Sequence, residues 1–480
     1  MGNGPHILLV VSDQHNRKVL GCNGDRVVRT PSLDRLAAAG VAFSQAYAPS
    51  PLCVPSRMAM LSSLMPGESG VQLNQHALPS HVPTVAHSLR AAGYRTVLCG
   101  RMHFVGPDQR HGYQERLVGD HTPTSVGCPE APQGLFQGTT GQDGRDLAKS
   151  GAGWSSVQGF DCAVRDAAIA RIRAQNPAEP LFLTVGFYGP HNPFVCTRAQ
   201  FDYYLAALPP IEPADLEVWL AQDHPAVRYW RETRRLSAAS VVEMARARAA
   251  YYGACETVDA LVGEVVDAAD AVLGAENLLV VYLSDHGDMA GERGLFWKST
   301  FFEGSVGVPW ILRWQGRIAP RRVDTPVSLL DLAPTLARIG GGPALPGAQG
   351  QCLYDLLFTG APLPARDILA TLADMRCGPS AMLRRGPWKL IAYHGHAMPQ
   401  LFNLADDPDE RVDRADDPAC SGHVAELLQS LRESWDSARV QAVIDRARAS
   451  QPLLRNPQPA PEDTREHWRV DLATVFLEQD

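Results

Sequence analysis

The sequence contains no long apolar run. Residues 1–6 lack the positively charged start of a signal peptide, and the first apolar run, residues 7–11, is ended by Ser12 and Asp13. No segment reaches the about 20 apolar residues that a transmembrane helix needs. From these absences we expect a cytoplasmic protein with neither a membrane anchor nor a membrane partner.

Dense cysteine patterns are also missing. The 480 residues include 10 cysteines, which stand singly and without a CxxC pair. This spacing argues against a disulfide-rich secreted scaffold. We interpret the cysteines as reduced thiols, which agrees with the expected cytoplasmic location.

Clusters of basic residues are missing as well. The formal net charge is −8 and no Lys/Arg run occurs, which argues against a nucleic-acid partner. An anionic substrate would therefore be held by local positive groups and not by the overall field of the protein. The apolar share of 45% and the charged share of 20% are those of an ordinary globular protein.

What the sequence does contain is a regular alternation of short apolar runs and amphipathic stretches. Strands that are buried on both faces and separated by helices predict an α/β fold with a mostly parallel central sheet. The predicted strands are residues 7–11, 95–99, 181–187, 278–283 and 310–314. The predicted helices are residues 32–39, 84–92, 163–174, 244–269 and 329–339.

The pattern changes near residue 365. Short antiparallel strands are predicted over residues 367–373, 380–383, 388–393 and 401–404, followed by one amphipathic helix over about residues 423–449.

Three units follow from this change. We predict an α/β domain over residues 1–365, a small C-terminal α+β subdomain over residues 366–450 and an arm over residues 451–480. The arm is expected to pack over the body or over a neighbouring subunit of a homo-oligomer. Residues 115–160 are rich in Gly, Thr and Ser and predict a long loop near the site.

Polar residues follow several predicted strands directly. These are Asp13, the turn at residues 100–103, His191 after Pro190, and Asp285 with His286. Because ligands of open α/β sheets bind at the carboxyl ends of the strands, we expect these side chains to form one site.

The strand-end residues Asp13, Gln14, Asp285 and His286 are candidate ligands of one divalent cation. Carboxylate and amide oxygens favour Ca²⁺, Mg²⁺ or Mn²⁺ over a thiophilic metal, and the imidazole of His286 favours Mn²⁺. The alternatives are that Asp13 caps the following turn and that residues 284–288 form a plain polar turn.

A cysteine stands between two prolines, and an arginine follows it by four residues. The segment is Pro51-Leu52-Cys53-Val54-Pro55-Ser56-Arg57. Because proline fixes φ and lacks an N–H donor, Cys53 is expected to open a rigid turn into a helix. The alternative is an ordinary buried thiol that precedes a helix.

The spacing of Cys53, Pro55 and Arg57, with residues 61–67 (LSSLMPG), resembles the signature of the sulfatase family. The resemblance implies an alkaline-phosphatase-like fold and conversion of Cys53 to formylglycine by a formylglycine-generating enzyme. It also implies that residue 53 joins Asp13, Gln14, Asp285 and His286 as a metal ligand. One hydroxyl of the aldehyde hydrate would attack sulfur and the other would let sulfate leave. Arg57 would hold the hydrate and offset nearby negative charge.

Two further turns resemble family motifs. Residues 100–103 resemble a Gly-Lys-x-His turn, which implies that His103 takes a proton from the hydrate and that Arg101 replaces the family lysine. Residues 190–193 resemble a Pro-His-x-Pro turn, and Lys298 matches a downstream lysine. The resemblance implies that His191 and Lys298 bind the sulfate oxygens and that His191 protonates the leaving oxygen. The alternatives are a surface arginine and a histidine that only shapes a turn.

Three features resemble the choline-sulfatase and phosphonate monoester hydrolase branch. Gln14 and His286 replace the more common ligands, residues 102–109 resemble choline sulfatase, and Asn74 falls where this branch places an asparagine on the substrate oxygens. Asparagine is also common in loops.

The sequence does not reveal an aromatic cage for a quaternary ammonium group. The candidate residues are Trp154, Tyr188, Trp297 and Trp468, each of which is more often a packing residue.

The resemblance implies hydrolysis of a small-molecule sulfate ester, with formylglycine made from Cys53 and with one divalent metal. A phosphonate monoester or phosphodiester could use the same site. A third hypothesis is an unmodified, inactive binding protein.

Overall fold

The computed structural model describes residues 4–120, 142–454 and 476–478. The strands are β1 (His6–Asp13), β2 (Val41–Tyr47), β3 (Arg95–Gly100), β4 (Glu115–Arg116), β5 (Gly151–Trp154), β6 (Leu181–Pro190), β7 (Val195–Cys196), β8 (Leu278–Ser284), β9 (Gly307–Arg313), β10 (Arg321–Val323), β11 (Val327–Ser328), β12 (Ile368–Asp374), β13 (Gly378–Arg385), β14 (Trp388–Tyr393), β15 (Gln400–Asn403) and β16 (Phe476–Leu477).

Helices cover both faces of the main sheet and the outside of the C-terminal region. They are α1 (Pro31–Ala38), α2 (Cys53–Ser62), α3 (Pro66–Ser69), α4 (Val85–Ala91), α5 (Ser156–Arg173), α6 (Arg198–Ala207), α7 (Pro213–Gln222), α8 (Pro225–Thr233), α9 (Val241–Leu273), α10 (Glu303–Val306), α11 (Leu332–Ile339), α12 (Tyr354–Thr359), α13 (Ser421–Ser434) and α14 (Ser437–Leu454).

The central sheet is mixed and mostly parallel, as the alternating pattern predicts. Its order is β10-β2-β9-β8-β1-β6-β3-β4, and β11 also pairs with β2. Strand β1 runs parallel to β6 and β8. Strand β9 is antiparallel to both of its neighbours, β8 and β2.

The central strand β1 shows why the sheet lies between two helical layers. All eight of its residues are buried. Ile7, Leu9 and Val11 face the core that contains α2, α4 and α11. Leu8 and Val10 face the opposite core, which contains α1, α5 and α9. The period of two along a strand sends alternate side chains to opposite faces, so an apolar run fills both cores.

The C-terminal region contains the predicted antiparallel sheet, with the order β12-β13-β14-β15. One face packs on Leu427 and Leu431 of α13. The other face, which includes Met382 and Ile391, shares a core with residues of the first 365. The boundary at residue 365 stays a prediction.

The single helix predicted over residues 423–449 is wrong, because α13 and α14 are separate helices. Trp435 is extended between them, with φ −145° and ψ 119°. The Asp436 carboxylate accepts the backbone N–H groups of Ala438 and Arg439 and so caps the start of α14.

The long loop predicted over residues 115–160 is also wrong in part. Strand β5 and the first turn of α5 lie inside it, and α5 begins with a capping box at Ser155. Residues 121–141 lie outside the described residues.

The predicted arm is only partly described. Residues 451–454 end α14, and β16 pairs antiparallel with β5 through Trp154 and Gly153. Residues 455–475, which include Trp468, lie outside the described residues, so the role of the arm stays a prediction. In the described part of the chain, no helix combines the length and apolar character needed to cross a membrane.

Candidate active site

Cys53 is the first residue of α2 and is buried, with 2% of its surface exposed. Its Sγ lies 3.1 Å from His286 Nε2 and 3.9 Å from Asp13 Oδ1. The first turn of a helix favours negative charge, because its N–H groups have no partner within the helix. Asn74 Oδ1 accepts one of these N–H groups, that of Val54, at 3.0 Å.

Arg57 lies one helical turn after Cys53 and links two acidic residues. Its Nε donates to Asp285 Oδ2 at 2.7 Å and its Nη2 donates to Asp13 Oδ2 at 3.1 Å. Its Nη1 donates to the backbone oxygen of Arg101 at 3.1 Å. Both carboxylates and the guanidinium are fully buried, so this contact fixes the acids with respect to Cys53.

Asp13 and Asp285 lie side by side because their strands are neighbours, with Ser12 paired to Ser284. Asp13 Oδ2 accepts from Arg57 and also from Arg101 Nε at 2.5 Å. Its Oδ1 faces Cys53 and lies 3.6 Å from His286 Nε2. The alternative that Asp13 only caps a turn does not describe this arrangement.

Four buried donors can hold a divalent cation. One ligand atom each of Asp13, Cys53, Asp285 and His286 lies within 4.8 Å of the other three. Two carboxylates and an imidazole suit such an ion, so the residues fit the metal that the resemblance implies. No other His/Cys/Asp/Glu group of this kind was found in the described ranges.

Gln14, the fifth candidate ligand, has a left-handed backbone with φ 72°. Its Nε2 donates to Asp288 Oδ2 at 2.6 Å, and its Oε1 accepts from Lys298 Nζ at 2.6 Å. The role of Gln14 as a metal ligand therefore stays a prediction.

Arg101 and His103 follow β3 and share one acidic partner. Arg101 Nη2 donates to His103 Nδ1 at 2.9 Å, and the ring of Tyr188 lies 4.4 Å from the guanidinium. Asp120 Oδ1 accepts from Arg101 Nη1 at 3.2 Å, and its Oδ2 accepts from the backbone N–H of His103 at 2.7 Å. Arg101 is 1% exposed, so it is not a surface arginine.

His191 and Lys298 are in direct contact. Lys298 Nζ donates to His191 Nε2 at 2.5 Å, and His191 Nδ1 donates to the backbone oxygen of Asn192 at 2.8 Å. Burial, reinforced by the charge of Lys298, lowers the pKa of His191 to about 4. The imidazole is therefore neutral near pH 7, and the proton between the two side chains belongs to Lys298.

The turn that carries Lys298 is held in a sparsely populated conformation. Trp297 and Ser299, on either side of Lys298, both have left-handed backbones, with φ 64° and 66°. The Trp297 N–H donates to Asp288 Oδ1 at 2.9 Å. Surrounding contacts must maintain such backbone angles, which are typical of functional sites.

The charges around Cys53 favour the thiolate. Burial and the Asp13 carboxylate oppose ionisation, but Lys298, His286 and a hydrogen bond from His103 outweigh them and hold the pKa of Cys53 well below its usual value. Burial also opposes ionisation of Asp13, yet Arg101, His191 and Arg57 lower its pKa. Burial raises the pKa of Asp285, with a further contribution from Asp13.

The structure thus brings together most of the residues expected at the site. The contacts above join Cys53, Arg57, Arg101, His103, His191 and Lys298 with the other candidate metal ligands, Asp13, Gln14, Asp285 and His286. Asn74 differs, because its carboxamide oxygen caps α2, and its predicted role on substrate oxygens stays a prediction.

The aromatic candidates for a cation cage are largely accounted for by packing. Tyr188 covers the Arg101 guanidinium, and Trp297 is 1% exposed within a core that includes Phe296. Trp154 is 43% exposed.

Sequence reasoning missed two buried acids of the site. Asp120 orients Arg101 and His103, and Asp288 orients Gln14 and Trp297. Asp288 follows His286 by two residues, so its position in the same turn was a usable signal. Asp120 stands alone, and no motif points to it.

Comparison with known proteins agrees with this geometry. The family model described as Sulfatase matches residues 5–342. A choline-sulfatase of Rhizobium meliloti (strain 1021) is 31% identical over 471 residues, which cover 93% of this chain and 90% of that protein. An arylsulfatase K of Rattus norvegicus is 28% identical over 481 residues, covering 95% of this chain and 82% of that protein.

A solved structure shows the same fold. The phosphonate monoester hydrolase of Agrobacterium radiobacter has a TM-score of 0.74 and 24% identity, and the match covers 90% of this chain and 96% of that chain. This confirms the predicted alkaline-phosphatase-like fold. Because the family model spans most of the α/β region and the choline-sulfatase matches nearly the whole length, the chain belongs to the sulfatase family of enzymes.

Proposed function

We propose that this protein hydrolyses a small-molecule sulfate ester, with formylglycine made from Cys53 and with one divalent cation. The observation that carries the proposal is the position of Cys53 Sγ, 3.1 Å from His286 Nε2 and 3.9 Å from Asp13 Oδ1, at the start of a buried helix. Membership of the sulfatase family supports it.

Formylglycine at residue 53 would supply a geminal diol, of which one hydroxyl attacks sulfur and the other allows release of sulfate. A divalent cation, with Ca²⁺ or Mn²⁺ expected and Mg²⁺ as an alternative, would act as a Lewis acid. Asp13, Gln14, Asp285 and His286 would hold it. Arg57 keeps Asp13 and Asp285 in place through its two carboxylate contacts.

The remaining side chains bind charge and move protons. Arg101 donates to His103 Nδ1, so His103 Nε2 carries the ring proton and can donate a hydrogen bond to residue 53. Taking a proton from the hydrate, the role that the resemblance implies, would require His103 Nε2 to be unprotonated. Lys298 carries the proton that it shares with His191 Nε2. We assign protonation of the leaving oxygen to this pair and not to His191 alone, because His191 is neutral near pH 7.

A second candidate function, hydrolysis of a phosphonate monoester or phosphodiester, is favoured by the charge of the site. Two of the three cations, Arg57 and Arg101, already contact carboxylates, and Lys298 contacts only neutral side chains among the bonds described. This balance suits a singly charged tetrahedral group. A phosphate monoester brings about two charges near pH 7, and the second would cost more to bury.

A panel of matched p-nitrophenyl esters tests the proposal. Protein co-expressed with a formylglycine-generating enzyme should show an aldehyde at residue 53 by peptide mass spectrometry and should cleave the sulfate and the phenyl phosphonate. The phosphate monoester should be cleaved poorly. Chelation should abolish turnover.

The test variant is Cys53→Ala and its control is Cys420→Ala. Cys420 is also buried but lies in the C-terminal core with Leu427 and Leu431, so its replacement should leave turnover in place. Full activity of Cys53→Ala would remove the nucleophile from the proposal. A modified protein that cleaves no ester would favour an inactive binding protein, and a phosphate monoester with the highest kcat/KM would contradict the charge argument.

Maturation by a formylglycine-generating enzyme, assembly as a homo-oligomer and a cytoplasmic location belong to the same proposal. A small alkyl or amino-alcohol sulfate is the first natural substrate to test, because residues 102–109 resemble choline sulfatase and a choline-sulfatase is 31% identical to this chain.

A further inference from the structure

The candidate metal centre of the encoded chain contains a sulfur donor. Cys53 Sγ lies 3.1 Å from His286 Nε2 and 3.9 Å from Asp13 Oδ1. His286 Nε2 in turn lies 3.6 Å from Asp13 Oδ1 and 3.7 Å from Asp285 Oδ2. All four side chains are buried. Before any conversion of Cys53, the cluster therefore has one sulfur, one nitrogen and two oxygen donors.

These spacings match the edges of a small coordination tetrahedron. Zinc bonds are about 2.3 Å to sulfur, about 2.0–2.1 Å to nitrogen and about 2.0–2.2 Å to oxygen, so the tetrahedral edges are about 3.3–3.6 Å. Four of the six donor-to-donor separations are 3.1, 3.9, 3.6 and 3.7 Å, and all six lie within 4.8 Å. Shifts of up to about 1 Å would bring the donors to tetrahedral spacing.

The donors also have lone pairs to spare. Arg57 takes one lone pair of Asp285 Oδ2, and a carboxylate oxygen has two. Both arginines that contact Asp13 do so at Oδ2, so its Oδ1 is turned toward Cys53 and His286.

The chemistry of this donor set differs from that of the mature site. A thiolate with imidazole and carboxylates selects a borderline or soft divalent ion such as Zn²⁺ or Co²⁺. Replacing the sulfur by the oxygens of a formylglycine hydrate leaves a set dominated by oxygen, which suits Ca²⁺, Mg²⁺ or Mn²⁺.

We propose that the unmodified chain binds Zn²⁺ through Asp13, Cys53, Asp285 and His286, and that conversion of Cys53 switches the site to hard cations. In that conversion the formylglycine-generating enzyme, with an external oxidant that accepts two electrons, breaks the Cβ–S bond, water supplies the aldehyde oxygen and the sulfur leaves as sulfide. The switch rests on the proposed function, because it requires formylglycine at residue 53. The zinc site of the unmodified chain rests only on the four donors. Because Cys53 is buried in the folded chain, zinc would occupy the thiolate of protein that folds before conversion, whereas protein converted before folding would take a hard cation.

Cobalt titration of full-length unmodified protein tests the zinc site without an activity assay. Protein produced without a formylglycine-generating enzyme is verified as cysteine at residue 53 by mass spectrometry, stripped of metal by chelation and titrated with Co²⁺. One equivalent should produce a sulfur-to-cobalt charge-transfer band in the near ultraviolet. One equivalent of Zn²⁺ should remove the band, whereas a hundredfold excess of Ca²⁺ should not.

Cys53→Ser should lose the band. It should also weaken Zn²⁺ binding by more than about 100-fold, because loss of a group that only supports a metal ligand already weakens binding by about 10–100-fold. Cys255→Ser is the matched control, because this cysteine is also buried but lies outside the donor cluster, and it should keep the band. His286→Gln should shift the cobalt spectrum while keeping the sulfur band, so it tests the site even if Cys53→Ser fails to fold.

Absence of the band in unmodified protein, or its persistence in Cys53→Ser, overturns the inference. The modified protein separates the two proposals. If it hydrolyses sulfate esters while the unmodified chain shows no band, only the zinc inference fails. If the band appears and the modified protein hydrolyses nothing, the proposed function fails, the switch fails with it, and the zinc site stands.

Discussion

Asp288 Oδ2 accepts a hydrogen bond from Gln14 Nε2 at 2.6 Å, and this contact decides which atom of Gln14 faces Lys298. The other oxygen of the same carboxylate accepts the N–H groups of Ala290 at 2.6 Å and Trp297 at 2.9 Å. One buried acid thus connects the end of β1, the turn after β8 and the segment that carries Lys298.

Replacing Asp288 by Asn should therefore reduce activity without unfolding the protein. The amide introduced by this substitution would present a donor to at least one of the N–H groups that the carboxylate now accepts, so the Gln14 amide and the Lys298 turn lose their fixed orientation. We expect a loss of about 10–100-fold in metal affinity or kcat, as for other outer-shell partners. Asp324→Asn, at an exposed position, should change neither. Unchanged metal affinity and unchanged kcat in Asp288→Asn would show that the contact is only structural.

Arg57→Lys should be strongly destabilising although it conserves the charge. A lysine ammonium cannot reproduce the planar fork that contacts Asp13 and Asp285 together. Breaking such a buried arrangement costs about 3–5 kcal/mol in free energy of unfolding, measured by urea denaturation. Arg35→Lys, in an exposed pair with Asp267, should change it by less than about 0.5 kcal/mol. Equal stability of the two variants would contradict this assignment.

A buried ion cluster connects the C-terminal sheet to the rest of the protein. Lys389 Nζ of β14 lies 2.7 Å from Glu303 Oε1 and 2.8 Å from Glu410 Oε1, and all three side chains are at most 2% exposed. Arg17 also contacts Glu303.

Lys389→Met should lower the free energy of unfolding by about 3–5 kcal/mol, because it leaves buried carboxylates without their common cation. Adding Glu410→Gln should restore part of the loss by removing one of those charges. Lys149→Met, in an exposed pair with Asp146, should cost no more than about 1 kcal/mol. A double variant less stable than Lys389→Met would argue against charge repulsion as the cause.

Asp161 predicts a pH dependence of stability. It is buried beneath the His191 turn and accepts the N–H groups of Tyr188 and Gly189 at 2.7 and 2.8 Å. Burial raises the pKa of its carboxyl from 3.8 to about 7, against these two hydrogen bonds. Between those values the folded state binds more protons than the unfolded state, so the free energy of unfolding falls as pH rises from about 4 to 7.

The contribution of Asp161 to that fall is on the order of 4 kcal/mol, at about 1.4 kcal/mol per unit of pKa. Asp161→Asn should lower the free energy of unfolding at pH 5. It should also reduce the difference in free energy of unfolding between pH 5 and pH 7. Asp166→Asn, at an exposed position, should leave the wild-type slope in place. The same slope in Asp161→Asn and wild type would show that another group titrates.

Much of the site could be predicted from local patterns. Apolar runs that end in Asp13, His191 and Asp285 identify strands whose carboxyl ends meet at one edge, and the structure brings these residues together there. The spacing of four residues between Cys53 and Arg57 corresponds to one helical turn, so both reach the same acids. The direction of each strand is harder to predict. Strand β9 is antiparallel to both of its neighbours, although its apolar sequence is like those of the parallel strands.

The tertiary structure alone decided which long-range partners complete these groups. Lys298 meets His191 across 107 positions of the chain, and this contact, with burial, decides where the proton lies. Asp288 acquires its role only when the turn after β8 folds against the end of β1, and Asp120 only when the segment after β4 folds back on the turn after β3. A strand or helix leaves a periodic signal because its backbone geometry repeats along the sequence and sends side chains to one face at a fixed interval, whereas a buried carboxylate is specified by whichever donors packing brings within about 3 Å of it.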